Sequence, residues 1–129
     1  MRLKDKRILV TGSTTGIGKA IAQRFVEEGA RVMIHGLEED LARETSAELD
    51  DAPWQVSDLS DPDVPSRLIE ASIRELGGLD GLVNNAGVVT RRQPAEMSLE
   101  TWDWTYAINV RAPFLLIQAA LEELSRNKG

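Results

Sequence analysis

A chain of 129 residues has room for one domain with a real hydrophobic core. Its formal net charge of -6 and pI near 4.8 argue against nucleic acid or an anionic membrane surface as partner, since either calls for a basic patch. Zero cysteines and a single histidine, His35, exclude disulfides, thiol catalysis and most zinc sites.

The N-terminus, Met1 to Lys6, has charge but no apolar core, and no later stretch approaches ~18 uncharged apolar residues. A cytoplasmic protein is expected. The first apolar run, Arg7-Ile8-Leu9-Val10, leads into the glycine-rich stretch Thr11-Gly12-Ser13-Thr14-Thr15-Gly16-Ile17-Gly18 and then a helical pattern. Strand, turn and helix in this order form a phosphate cradle: glycines let the backbone turn tightly and approach a pyrophosphate, and the helix start offers free N–H groups and its positive dipole end. A nucleoside-triphosphate loop is excluded, because Ser13 stands where it needs Gly and Ala20 where it needs a hydroxyl. An ordinary strand-to-helix connection remains the bland alternative for the turn taken alone.

The first helix should run to about Glu28, with Gly29 as its left-handed stop. Arg31 to Ile34 reads as a buried strand, and His35 at its end reads as structural. Glu38 to Leu49 reads as the second helix, Trp54 to Val56 as a third strand, and Asp63 to Leu76 as the third helix, closed by Gly77-Gly78. Leu79 to Val83 makes a fourth strand that stops at Asn84-Asn85-Ala86-Gly87. After a polar loop, Ser98 is the expected N-cap of a fourth helix that runs to about Ser125 with Pro113 inside it. Trp102, Trp104 and Tyr106 read as packing residues on that helix. Alternating strands and helices imply an α/β fold with a parallel sheet, right-handed crossovers, helices on both faces, and a ligand at the carboxyl ends of the strands.

The turn T-G-x-x-x-G-I-G, the N-N-A-G tetrapeptide after the fourth strand, Asp58 after the third and Asn109 in the last helix resemble the short-chain dehydrogenase/reductase family, from about Lys4 to Asn127. The resemblance implies a Rossmann-type sheet and residues 1–129 as a dinucleotide-binding domain, the cofactor half of a hydride-transferring oxidoreductase. It implies a cofactor site of Gly12, Ser13, Thr15, Gly16, Ile17, Gly18, Leu37, Asp58, Leu59, Asn85, Ala86 and Gly87, with Asp58 at the adenine. Asp58 could equally satisfy local backbone N–H groups. Asn109 matches the family's catalytic Asn, whose backbone carbonyl holds a relay water. A physical reason accompanies it: Pro113, four residues on, has no N–H to give that carbonyl.

The family continues with a strand bearing Ser and then Y-x-x-x-K. The only tyrosine here is Tyr106, followed four residues later by Val110. The 129 residues thus resemble the family up to the end of the fourth helix, and no turnover is expected from them alone. NAD and NADP both stay open: neither an Asp at the end of the second strand nor a basic residue in the turn is present, and Glu38 tilts the reading faintly toward NAD, with an exposed glutamate at a helix start as its equal alternative. An exposed fourth strand and an apolar helix face point to a homo-oligomer, most simply a dimer. A noncatalytic dinucleotide-binding or self-associating module is the alternative.

Overall fold

A computed structural model describes all residues from 1 to 129. Strand β1 (Arg7–Val10) is followed by α1 (Gly16–Glu27), β2 (Arg31–Gly36), α2 (Glu39–Glu48), β3 (Trp54–Val56), α3 (Val64–Leu76) and β4 (Gly81–Val83). The four strands pair in parallel in the order β3-β2-β1-β4, so the first strand lies inside and the third and fourth form the edges. Short alternating strands explain the layers. Ile8, Val10, Val32 and Ile34 pack with Ala22 of α1 and Leu49 on one face, while Leu9 and Met33 pack with Leu68, Ile69 and Leu76 of α3 and with Leu116 on the other. At the base of the sheet Arg7 grips Asp80 with a fork of bonds, 2.8 and 3.0 Å to its two oxygens, while the Arg7 backbone N–H donates to the same carboxylate at 2.9 Å. This clasp sets the register in which β4 leaves for the site.

Two element boundaries move against expectation. β2 continues through His35 to Gly36, and β4 begins only at Gly81, with Leu79 fully buried just before it. The larger correction concerns the last helix, which is three pieces: α4 (Leu99–Tyr106), a π-helical turn (Ala107–Arg111) and α5 (Ala112–Arg126). Ser98 caps it as expected, accepting from the Thr101 N–H at 3.1 Å. The π turn arises because the Ala112 N–H reaches back five residues to the Ala107 carbonyl and Pro113 has no N–H at all. The Ile108 and Asn109 carbonyls therefore lose their ordinary helical donors.

The aromatic residues of α4 are not in the core. Trp102, Trp104 and Tyr106 are all exposed, and Trp102 stacks on Tyr106 with ring centroids 5.9 Å apart. Packing falls instead to small residues, Ala107, Ala112 and Ala120, with Ile108 and Leu116. No helix is long and apolar enough to cross a membrane.

Candidate dinucleotide site

An open cleft of about 650 Å³ lies over the carboxyl ends of the strands. Its floor begins at the glycine turn. Gly12 has φ +60, and a β-carbon there would stand 3.0 Å from the Ala86 Cα, so glycine is required both for the turn and for the close approach of the loop after β4. Gly12, Thr15, Gly16 and Ile17 line the cleft. The Thr15 side chain caps nothing, and the Gly16, Ile17 and Gly18 N–H groups at the start of α1 find no acceptor in the protein. The free donors of Gly16 and Ile17 and the positive end of a twelve-residue helix thus border the cleft, with the Gly18 N–H behind them.

Ser13 and Gly18, expected at the cofactor, are absent from the lining. Ser13 is fully buried; its hydroxyl accepts from the His35 N–H at 3.0 Å and its own N–H donates to the His35 carbonyl at 2.8 Å. Gly18 packs inward instead, where a β-carbon would run into the Gly12 carbonyl and the Asn85 amide. Both residues shape the turn from behind.

The second wall comes from β4 and its exit. Asn85 donates from Nδ2 to the Thr11 and Gly12 carbonyls, each at 3.1 Å. Thr11 answers by accepting the Asn85 and Ala86 N–H groups on Oγ1, at 3.1 and 2.9 Å. This reciprocal stitching holds Asn85, Ala86 and Gly87 along the cleft. Asn109 stands behind them: its side chain donates to the Val88 carbonyl at 2.7 Å and accepts the Val88 N–H at 2.8 Å. It fixes the loop and is not itself part of the lining.

Leu37, Glu38, Asp58 and Leu59 complete the far end. The Asp58 carboxylate accepts the Ser60 N–H at 2.9 Å and the Ser60 hydroxyl at 2.7 Å, which hold it below the ordinary aspartate range against a smaller burial effect. It therefore satisfies the local backbone while lining the cleft. Glu38 and Asp58 are the acids of the lining, which contains no Lys or Arg.

Several lining residues were not anticipated. Thr14 sits over Gly36, where a β-carbon would lie 2.6 Å from the Thr14 methyl. Trp104, Ile108 and Val88 close the end nearest the last helix. His35 also lines the cleft, joined to Gly12 and Ser57. Nothing in the sequence distinguishes these from ordinary core or loop residues except that His35, inside a strand of apolar residues, needs partners for two ring nitrogens.

A parallel sheet with helices on both faces and a glycine turn feeding the helix after its first strand is a Rossmann-type α/β domain. A model described as short chain dehydrogenase matches residues 6–129, and the chain belongs to that family. A 2,5-dichloro-2,5-cyclohexadiene-1,4-diol dehydrogenase of Sphingobium indicum is 38% identical over 130 residues, covering 98% of this chain and 52% of the relative. A sorbitol dehydrogenase of Cereibacter sphaeroides is 38% identical over 120 residues, covering 92% and 47%. Among solved structures, a short chain dehydrogenase from Burkholderia cenocepacia in complex with NADP superposes with a TM-score of 0.93 at 36% identity, covering 96% of this chain and 53% of that one. A blue fluorescent protein from a metagenomic library, in complex with NADPH, gives 0.92 at 34% identity, covering 96% and 53%. The chain spans about half the length of the curated relatives it matches.

Proposed function

We propose that residues 1–129 form the dinucleotide-binding domain of an oxidoreductase that moves a hydride between a nicotinamide cofactor and an alcohol or carbonyl carbon. The observation that carries this reading is the pair of free N–H groups of Gly16 and Ile17 at the start of α1, bordering a cleft at the ends of parallel strands. The pyrophosphate lies on that turn, the adenine reaches Asp58 and Leu59, and the nicotinamide end lies along Asn85, Ala86 and Gly87. Asn109 supports the end of the site nearest the last helix through Val88. The proton-transfer groups of the reaction, Ser and Tyr-x-x-x-Lys, are not among these residues.

NAD is preferred over NADP. Solved relatives carry NADP or NADPH, but in this cleft a 2′-phosphate would meet Glu38 with no Lys or Arg in the lining. Thr14 fills the space a side chain at Gly36 would need, which leaves Glu38 as the acid at the exit of β2. Calorimetric titration with NAD(H) and NADP(H) tests the reading: saturable binding is expected, tighter for NAD by about tenfold if one unscreened like-charge contact decides it. No saturable binding of either at millimolar concentration overturns it.

Self-association belongs to the same reading. β4 is an open edge, and Trp102, Tyr106, Val110, Phe114, Ile117 and Leu121 recur every three or four residues along α4, the π turn and α5, all exposed.

A further inference from the structure

His35 is the chain's only histidine, is 2% exposed, and sits in β2 at the floor of the cleft. Its ring bridges the glycine turn and the segment just beyond β3. Nδ1 lies 3.2 Å from the Gly12 nitrogen, and Nε2 lies 3.0 Å from the Ser57 oxygen just beyond β3. The partners dictate the tautomer: a carbonyl must receive a proton and an N–H must find a lone pair, so the ring is neutral with its proton on Nε2. The backbone of His35 is bound in turn to Ser13, which fixes the strand against the glycine turn.

We propose that neutral His35 is a positioning residue for dinucleotide binding, holding the Gly12 turn open to the phosphates, and that protonation of His35 and binding of the dinucleotide exclude one another. The inference rests on the dinucleotide reading above. By taking the Gly12 N–H inward, the ring fixes the φ +60 turn from which α1 presents its free N–H groups. An imidazolium carries a proton on Nδ1 as well. Two donors then face each other across 3.2 Å, and the turn must shift away from the ring.

The surroundings do nothing to prevent this. The glycine turn brings Gly12 to the ring and the β3 side brings Ser57, neither of them charged. Glu38 and Asp58, the acids of the same cleft, are exposed, and Lys19 of α1 is engaged with Glu48 of α2 at 2.8 Å. Burial alone pushes the imidazole below its ordinary value, opposed only by the Ser57 carbonyl. By linkage, a ligand that binds only the neutral form must depress that value further.

The single imidazole makes the test direct. Its NMR titration is followed with and without saturating NAD, and NAD affinity is measured in parallel. The midpoint should fall on binding, and below the free protein's midpoint affinity should drop about tenfold per pH unit. An identical midpoint with and without NAD overturns the inference. At pH 7.5, where the ring is neutral, His35→Leu should bind about tenfold more weakly, the value of one lost hydrogen bond to a part-buried donor. His35→Asn, whose amide oxygen can replace Nδ1 and never titrates, should recover most of that affinity with no dependence on pH. A folded His35→Leu protein with wild-type affinity, judged by its thermal melt, also overturns it. Failure of the wild type to bind either dinucleotide at pH 7.5 instead sinks the dinucleotide reading. The clamp itself would still be visible then as the Nε2–H tautomer in the free protein.

Discussion

Gly18 lies directly behind Gly12: a β-carbon on the first would collide with the carbonyl oxygen of the second. That carbonyl is already held by Asn85 at 3.1 Å. A Gly18→Ala substitution therefore attacks the joint between α1, the turn and the loop after β4, not the phosphates themselves. Loss of stability should accompany loss of dinucleotide affinity, by about 1–3 kcal/mol if the turn can yield and more if it cannot. Thermal denaturation decides it: an unchanged midpoint with weakened binding would place the side chain in the cleft instead.

The Arg7–Asp80 clasp gives stability a pH dependence. Hydrogen bonds from the Arg7 side chain, more than its charge alone, hold the Asp80 carboxyl below the ordinary aspartate value, against a lesser opposing effect of burial. A depressed folded value means that the contribution is complete above the unfolded value of about 3.9 and fades as pH falls through the lower folded value. Asp80→Asn should cost about 1–3 kcal/mol at pH 7 by urea denaturation, with the difference from wild type shrinking toward pH 2. A difference that stays constant with pH would mean the clasp acts through shape alone.

Glu38 should decide the cofactor. Glu38→Arg replaces the repulsion of a 2′-phosphate with attraction and should move the ratio of NAD to NADP affinities by about a hundredfold in favour of NADP, the reversal of one charge contact. Competition titration measures it. An unchanged ratio would return Glu38 to being an exposed residue at a helix start.

The exposed stripe should bring two copies together. Burial of Phe114, Ile117, Leu121 and their neighbours, at about 1.5–3 kcal/mol for each fully buried side chain, is of the same order as the cost of association. Light scattering over a concentration series should show a dimer, and Phe114→Asp combined with Leu121→Asp should leave a monomer with an unchanged melt. A monomeric wild type at every concentration would show that neither the stripe nor the β4 edge associates.

The glycine turn, the parallel sheet implied by alternating elements and the loop after β4 were legible because each has a local cause: a backbone that needs glycine, a period, a breaker. What escaped were relations across the sheet. Thr11 looks like any strand-end threonine until Asn85 and Ala86 arrive beside it, and Gly36 looks like a missing carboxylate until Thr14 is seen to occupy its space. Ser13 and Gly18 carried the motif but act from beneath it. The apolar pattern of the last helix misled for a related reason: large aromatic residues advertise themselves, yet the face against α3 and the sheet is filled by Ala112, Leu116 and Ala120.

The π turn at Ala107–Arg111 works as a correction of phase. In a regular α-helix, residues five apart point about 140° away from each other. Ala107 and Ala112 are both buried, which a wider turn permits. One surplus residue thus lets α4 and α5 obey different masters: α5 is aligned to the sheet, while α4 is rotated so that Trp104 reaches the cleft. Deleting a single residue from this turn would leave a perfectly good helix and send its first half around by roughly a quarter turn, so that the damage would fall on the mouth of the site and not on the helix that carries it.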